Sequence, residues 1–286
     1  MLSICIPHYN YQNLELFETL KSQAEQLHLN FELLIIDDAS KEDHKSYLRK
    51  LTESPYRVEF LEKNIGRSAI RNLLAKKAKF ESLLFLDGDS LVEHPDFIKN
   101  YWVNRELDFI SGGRYYQDKV PETNYLLHWL YGKKVESLAN SQFHSCNFMI
   151  KKSVFDKIKF DENLRNYGYE DVLFGVRAKN MDVVLNNIEN PIKHQQLKTN
   201  TLFLKDIEIA INNLKILEEL KPKFKWANEI KLLKKYQQFK KIGFTILIPK
   251  INSKLFKKIE NSLIHAPNKN FFLLNIYKLS LYHHIN

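Results

Sequence analysis

Two carboxylates stand one residue apart in the segment SLLFLDGDS, directly after a run of apolar residues. The run has the character of a buried β-strand, and Asp87 and Asp89 flank Gly88 at its end. Side chains two positions apart face the same side of an extended chain, and glycine lets the chain turn. Both carboxylates can therefore converge on one cation such as Mg²⁺ or Mn²⁺. A strand-capping aspartate followed by a turn aspartate gives the same pattern, so both interpretations stay open at this point.

Polar side chains also follow two other apolar runs near the amino terminus. LSICIP is followed by His8, Tyr9 and Asn10, and FELLII is followed by Asp37 and Asp38. Ligands of open parallel sheets bind outside the carboxyl ends of the strands. We therefore expect these side chains to gather at one sheet edge with the DGD carboxylates.

Strand-like and helix-like segments alternate through the first part of the chain. NLELFETLKSQAEQL and IGRSAIRNLLAKKA have apolar residues at helical spacing, whereas the strand candidates are continuous apolar runs. This alternation predicts an α/β fold, a mostly parallel sheet with helices on both faces. We divide the chain into residues 1–107, residues 108–199 and a helical, lysine-rich region at 200–286. Within the second part, a loop precedes a helix that we expect to start near Glu170 and Asp171.

Five segments occur in an order and at spacings that resemble family 2 glycosyltransferases of the GT-A (Rossmann-like) fold. They are SICIPHYN, LLIIDDAS, NIGRSAIRN, LFLDGDS and GYEDVLFGVR, and the resemblance covers about residues 1–195. It implies a nucleotide-sugar-binding half, an acceptor-binding half and inverting, metal-assisted transfer from a UDP-sugar. The acceptor would be a hydroxyl of a growing glycan or a lipid-linked glycan of the bacterial cell-surface type.

The resemblance assigns the donor site to the strand ends and to one helix start. The corresponding residues are Pro7, Tyr9, Asn10, Asp37, Asp38, Arg67, Arg71, Asp87, Gly88 and Asp89. Asp38 would accept a hydrogen bond from the uracil or position the base, while Asp37 is as readily a helix cap or turn residue. Arg67 and Arg71 would meet the nucleotide or its phosphates, and exposed helix arginines are the alternative.

The resemblance also implies a metal site and a general base. Asp89 matches the main ligand of Mn²⁺ or Mg²⁺, and Asp87 matches a partner that touches ribose or metal. His194 corresponds to a further metal ligand in some relatives, and a histidine of surface or core is the alternative. Asp171 falls at the catalytic base position with Glu170 beside it, and inverting sugar transfer needs one such base.

One segment departs from the pattern of the family. Many relatives carry a glycine-rich segment ahead of the acceptor helix, where this chain has SQFHSCNFMI. Phe143, His144 and Cys146 are bulkier than the family's small residues, so the acceptor pocket cannot be carried over.

Net charge is distributed unevenly along the chain. Residues 200–286 contain 16 lysines, no arginine and 6 acids, whereas the rest of the chain carries a balance of −1. We expect this basic region to make a reversible peripheral contact with an anionic membrane, and a solvated helical domain or a dimer contact is the alternative. The two cysteines suggest no disulfide framework and suit a reducing cytosol, so we expect a cytoplasmic protein on the inner membrane face.

Two other classes of protein fit parts of this pattern. A nucleic-acid-binding protein would explain the basic region but not the carboxylates, which repel phosphate without a metal, so no nucleic acid partner is expected. A metal-dependent nucleotidyltransferase also uses acids at strand ends, yet it generally has a glycine-rich phosphate loop that IPHYNYQN lacks. Neither the oligomeric state nor the sugar follows from the sequence.

Overall fold

Ten strands in two sheets carry the residues of interest in the computed structural model, which describes residues 1–137, 143–221, 225–243 and 253–285. The strands are β1 Leu2–His8, β2 Phe31–Asp37, β3 Tyr56–Phe60, β4 Ser82–Leu86, β5 Ser90–Leu91, β6 Phe109–Ser111, β7 Arg114–Tyr115, β8 Asn147–Lys151, β9 Leu185–Asn187 and β10 Ile192–His194. The helices are α1 Leu14–Gln26, α2 Glu42–Lys45, α3 Arg67–Lys77, α4 Phe97–Trp102, α5 Leu126–Tyr131, α6 Lys152–Ile158, α7 Glu170–Lys179, α8 Asn200–Leu220, α9 Lys231–Lys241, α10 Ser253–His265, α11 Pro267–Asn270 and α12 Leu273–Ile285.

The larger sheet has the order β3-β2-β1-β4-β8-β6-β9. Strands β3, β2, β1 and β4 are parallel, and β8 is antiparallel to both of its neighbours. The predicted mostly parallel sheet is therefore confirmed. Because β1, β2 and β4 run in the same direction, their carboxyl ends meet at one edge, as the strand-end pattern predicts.

Helices cover both faces of this sheet because its strands are apolar on both sides. Alternate residues of β1 and β4, such as Ile4 and Leu84, pack with α1 and α4 on one face. The intervening residues, such as Cys5 and Phe85, pack with α3, α6 and α7 on the other. Period-two alternation between two apolar layers is the expected property of a parallel strand buried on both faces. Cys5 belongs to this core as a free thiol, and burial raises its pKa.

The smaller sheet joins distant parts of the chain in the order β5-β10-β7. β10 is antiparallel to β5, with His194 opposite Ser90, and parallel to β7, with Ile192 opposite Arg114. β5 follows the DGD turn directly, so this pairing brings the end of β10 to the residues that follow β4.

The chain divides into two compact units. The first consists of residues 1–117, 136–165 and 170–196, and the second of residues 118–135, 166–169 and 197–286. The second unit contains α5 and α8–α12, whose contacts include α8 with α12 and α10 with α12. In the described residues, none of the helices combines the length and the apolar character needed to span a bilayer. The predicted boundaries at 107/108 and 199/200 remain a prediction.

Candidate active site

The turn after β4 is shaped by close contact with the end of β1. A Cβ atom added at Gly88 would lie 3.0 Å from the carbonyl oxygen of Pro7, which is tighter than ordinary side-chain contacts. Asn13, which caps α1, donates from Nδ2 to the carbonyl oxygens of Gly88 at 2.9 Å and Ser90 at 2.7 Å. The turn is therefore fixed on both sides, and the two aspartates that flank Gly88 leave it in different directions.

Asp87 faces two arginines of α3. Its Oδ1 lies 2.5 Å from Nη2 of Arg71, and its Oδ2 lies 3.4 Å from Nη2 of Arg67. Burial alone would raise the pKa of Asp87, but the charges of Arg71 and Arg67 outweigh it and hold that pKa below the ordinary value. Arg71 is buried, with its guanidinium 5.7 Å from the ring centre of Phe160, whereas Arg67 is 42% exposed. The alternative interpretation, an exposed helix arginine, does not describe Arg71, which is buried. It describes Arg67 only in part, because Arg67 is exposed but also ion-paired with Asp87.

Asp89 faces His194, which β10 carries to the turn. Oδ2 of Asp89 lies 3.6 Å from Nδ1 of His194, and both side chains are partly exposed. Nε2 of His194 lies 3.0 Å from the carbonyl oxygen of Gln196, which can only accept a hydrogen bond. In the neutral ring the proton therefore sits on Nε2, and the Nδ1 lone pair faces Asp89.

Asp89 and His194 together fit a divalent metal ion, whereas both oxygens of Asp87 already face the guanidinium groups of Arg67 and Arg71. A metal-binding histidine usually donates its second ring nitrogen to a carbonyl or carboxylate, and His194 has that arrangement. One carboxylate and one neutral imidazole suit Mn²⁺ better than Mg²⁺. Within the described ranges, no three His, Cys, Asp or Glu side chains converge into a metal-binding group, so the three expected ligands are not assembled together.

Asp38 holds the loop that precedes α3. Its carboxylate accepts from the backbone N–H groups of Ile65 at 2.7 Å and Gly66 at 3.2 Å. Gly66 has a φ of +84°, in the left-handed region that favours glycine, and α3 begins at the next residue, Arg67. Burial raises the pKa of Asp38, as does the nearby Asp37, although the two amide bonds act in the opposite direction. Asp38 thus positions the start of the arginine-bearing helix.

The side chain of Asp37 is buried in the protein interior. Its Oδ1 lies 2.7 Å from Nδ1 of His8, and its Oδ2 accepts from the backbone N–H of Ser40 at 3.1 Å. The second hydrogen bond is the one expected of a turn residue, which is the alternative interpretation of Asp37. Burial would raise its pKa, but these hydrogen bonds lower it overall. Next to this buried pair, Asn10 has a φ of +49° and accepts through Oδ1 from the backbone N–H of Lys41 at 2.9 Å, in the loop after β2. Tyr9 follows the end of β1 and is 54% exposed. Tyr9 is the residue of this group that is open to a ligand.

Glu170 and Asp171 begin α7, as the sequence predicts. Glu170 is buried, and its Oε1 lies 3.5 Å from Nε of Arg67, so Arg67 joins Asp87 to the start of α7. Burial and the charge of Asp171 raise the pKa of Glu170. Burial would also raise the pKa of Asp171, but His144 lowers it overall, and Oδ2 of Asp171 lies 3.6 Å from Nδ1 of His144. The two neighbouring acids therefore have pKa values shifted in opposite directions.

The structure adds Arg114 and His144, which the sequence patterns did not select. Arg114 pairs with Glu136 at 3.2 Å, and its charge lowers the pKa of both Asp87 and Asp171. The sequence signal that could have selected Arg114 is the pair of glycines directly before it. A Cβ on Gly112 would lie 2.4 Å from the hydroxyl of Tyr101, so the backbone there packs closely against the protein. His144 sits in the segment that departs from the family pattern, and its spacing to Asp171 gives no signal.

Comparisons with known proteins relate the chain to glycosyltransferases. The sequence profile of the family described as "Glycosyl transferase family 2" matches residues 3–159, more than half of the chain. An uncharacterized glycosyltransferase of Rickettsia bellii is 34% identical over 126 residues, which are 44% of this chain and 18% of that protein. The Escherichia coli UDP-Glc:alpha-D-GlcNAc-diphosphoundecaprenol beta-1,3-glucosyltransferase WfaP is 24% identical over 170 residues, 55% of this chain and 61% of that protein. The chain thus covers less than two thirds of either relative.

A solved structure shows the same fold at low identity. The mannosyltransferase PcManGT of Pyrobaculum calidifontis, in complex with GDP-Man and Mn²⁺, has a TM-score of 0.63 and 15% sequence identity. The match covers 98% of this chain and 85% of that one. At this identity the likeness shows the architecture alone.

Proposed function

The chain belongs to glycosyltransferase family 2 and has the GT-A fold, and from this premise we propose that it transfers a sugar from a UDP-sugar to an acceptor hydroxyl with inversion. The observation that carries the proposal is the continuous charged array from Asp87 through Arg67 to Glu170. This array connects the strand-end turn, where family members hold the donor, with the helix start that bears the candidate base. The acceptor would be a growing cell-surface glycan or a lipid-linked glycan.

Cations and one open aromatic ring support the binding of a nucleoside diphosphate. The guanidinium of Arg67 is partly exposed between two acids and can turn part of its hydrogen-bonding capacity toward phosphate oxygens. Arg71 is buried and keeps Asp87 ionised and in place. The exposed ring of Tyr9 at the end of β1 offers a surface for the base. A uracil-directed role for Asp38 belongs to this proposal, although both of its oxygens already accept backbone hydrogen bonds.

Asp89 and His194 would hold the divalent metal, Mn²⁺ or Mg²⁺. When bound, such an ion offsets the negative charge that develops on a departing nucleoside diphosphate. Asp87 would contribute through its arginine partners and the ribose rather than as a third ligand, because both of its oxygens face guanidinium groups.

Asp171 would act as the general base in a single displacement. The acceptor O–H bond breaks as its proton moves to Asp171, the acceptor oxygen bonds to the anomeric carbon, and the bond from that carbon to the diphosphate oxygen breaks. Attack opposite the leaving group inverts the anomeric configuration. The lowered pKa of Asp171 keeps it ionised at neutral pH, while Glu170, whose pKa is raised, lies beside it and pairs with Arg67.

A screen of nucleotide-sugar donors tests the proposal. Purified protein is incubated with Mn²⁺, acceptor glycans and several UDP- and GDP-sugars, and release of the nucleoside diphosphate is measured. We expect UDP release that depends on a UDP-sugar. Release of GDP only would correct the donor, and release of pyrophosphate from a nucleoside triphosphate would indicate a nucleotidyltransferase.

The metal site has its own test. Asp89→Ala should abolish Mn²⁺-dependent turnover and weaken UDP binding in the presence of Mn²⁺, because it removes the carboxylate beside His194. Asp108→Ala is the matched control, since Asp108 is an exposed aspartate just before β6, at the amino end of that strand. Full activity of Asp89→Ala, or of the native protein in EDTA, would contradict the role of the metal.

We also propose that the basic region from residue 200 onward makes a reversible contact with an anionic membrane face. The supporting observation is that exposed lysines lie along α9 and α10, for example Lys234, Lys235, Lys257 and Lys258. A lipid-linked acceptor would make such a contact useful to the enzyme.

A further inference from the structure

The loop that enters β8 brings a histidine to the proposed base. Nδ1 of His144 lies 3.6 Å from Oδ2 of Asp171, and the two side chains are 25% and 21% exposed. This distance is longer than a hydrogen bond but within the range of an ion pair. His144 is therefore an accessible side chain at the site rather than a member of the hydrophobic core.

Its neighbours in sequence fix the position of His144. Phe143 is buried, and its ring centre lies 4.9 Å from that of Phe109 and 5.4 Å from that of Phe174 in α7. On the other side, β8 begins at Asn147, which pairs with Leu86 at the end of β4. The loop is thus attached both to α7, which carries Asp171, and to the strand that leads to Asp87.

The Asp171 carboxylate has a different neighbour at each oxygen. Oδ1 accepts from the backbone N–H of Val172 at 2.8 Å, and Oδ2 faces His144. Among the described residues, other charged groups near it include Glu170 on the same helix, Arg114 of β7 and, through Glu170, Arg67 of α3. Arg114 acts on Asp171 through its charge, whereas His144 lies within ion-pair distance of Oδ2, the oxygen that the Val172 amide does not hold.

We propose that His144 is a positioning residue for Asp171, which holds Oδ2 in the orientation that accepts the proton of the acceptor hydroxyl. The inference rests on the proposed function, because it takes Asp171 to be the base. With Oδ1 held by the Val172 amide, a contact at Oδ2 removes the remaining rotation of the carboxylate. Fixed orientation of a reacting group is a large contribution to catalysis, and small displacements lower the rate strongly.

Two substitutions separate this role from a purely structural one. His144→Phe keeps an aromatic ring but removes both nitrogens, whereas His144→Asn places an amide nitrogen near the position of Nδ1. We expect His144→Phe to lower kcat by up to about 100-fold, with KM for the donor changed little. His144→Asn should recover a substantial part of kcat. His28→Asn is the control, because His28 is an exposed histidine in the turn before β2, at the amino ends of the strands.

The pH dependence of kcat supplies a second readout. His144 lowers the pKa of Asp171, so its removal raises that pKa. A base works only when ionised, and activity falls as the pH drops through its pKa. The acid limb of the His144→Phe profile should therefore lie at higher pH than the native limb, while the His28→Asn limb stays in place.

The outcomes distinguish the inference from the proposed function. If Asp171→Asn is inactive while His144→Phe has the native kcat and the native acid limb, the positioning role is wrong. If Asp171→Asn retains full activity, the base assignment fails, and with it the positioning role. A double variant no less active than Asp171→Asn alone supports the inference, since His144 would act only through Asp171.

Discussion

At the scale of single residues, Glu170 and Asp171 show how neighbours in sequence acquire different chemistry. Glu170 is buried against Arg67, and its pKa is raised by burial and by the charge of Asp171. Asp171 lies within reach of His144 and Arg114, which lower its pKa against the effect of burial. Pairs of acids whose environments separate their pKa values often have distinct roles in an active site. Asp171 has the lowered pKa and is the more exposed of the two, which favours it as the base.

Exchange of each acid for its amide tests this assignment. Asp171→Asn keeps the shape of the side chain but removes its basicity, so kcat should fall by roughly 10²–10⁴-fold. Donor affinity should change little, because Asp171 contacts His144 rather than the arginines of α3. Steady-state kinetics with UDP binding by calorimetry measure both quantities.

Glu170→Gln serves as the comparison. It removes the charge paired with Arg67 and should affect donor KM more than kcat. An inactive Glu170→Gln together with an active Asp171→Asn would assign the role of the base to Glu170 instead.

At the scale of elements, the start of α3 depends on an aspartate of another strand end. Asp38 follows β2 and accepts from the amides of Ile65 and Gly66, so it fixes the loop from which Arg67 emerges. This arrangement gives Asp38 a structural role beside the uracil-directed role implied by the resemblance. The two roles predict different consequences of one substitution.

Asp38→Asn should distinguish these roles. The amide can accept one of the two backbone hydrogen bonds but presents a donor to the other, so the free energy of unfolding should fall by about 1–3 kcal/mol. UDP and GDP affinities should then fall together, because Arg67 is displaced. Chemical denaturation and nucleotide titration provide the measurements. Unchanged stability with a loss confined to UDP would show that Asp38 contacts the base instead.

The sequence predicts the strand-end positions of this site better than its side-chain pairings. Continuous apolar runs and the turn residues after them locate the carboxyl ends of β1, β2 and β4, because burial on both faces requires such runs. Two facts depend on tertiary contacts that leave no local pattern. Asp87 faces arginines rather than Asp89, because the packing of α3 against β1 and β2 places Arg67 and Arg71 beside the end of β4. His144 meets Asp171 because the Phe143 ring fixes its loop on α7.

At the scale of the whole molecule, net charge is distributed unevenly along the chain. Residues 200–286 carry a balance of +10, since they hold 16 lysines and 6 acids, whereas the preceding residues carry −1. Two of these acids, Glu208 and Glu218, accept hydrogen bonds from Tyr277 and Tyr282 of α12 at 2.6 Å. Lys234 and Lys235 of α9 and Lys257 and Lys258 of α10 are exposed and contribute positive charge to the surface of this region.

Removal of part of this charge should weaken membrane binding. A variant with four lysines changed to glutamine, Lys234, Lys235, Lys257 and Lys258, should partition to anionic vesicles up to about 10³-fold less, because each lysine near such a surface contributes on the order of 1 kcal/mol. Co-sedimentation with anionic and neutral vesicles at low and high salt measures this, and salt should weaken the native binding.

The matched control changes four exposed lysines of the first unit. They are Lys50, Lys99, Lys157 and Lys179. This variant should bind anionic vesicles as the native protein does. Equal partition of the native protein to both kinds of vesicle, or to neither, would contradict the membrane contact.

The pairing of β5 with β10 has a consequence for the order in which the protein is made. Asp89 and His194 come together only when β10 is added beside β5, after roughly a hundred further residues have left the ribosome. Closing a loop of that length carries an entropic cost on the order of 4 kcal/mol, which the smaller sheet and its surroundings must offset. Until then, the growing chain carries Asp89 without the histidine that faces it in the complete structure. The proposed metal site would therefore be completed late in synthesis, when the first unit is finished.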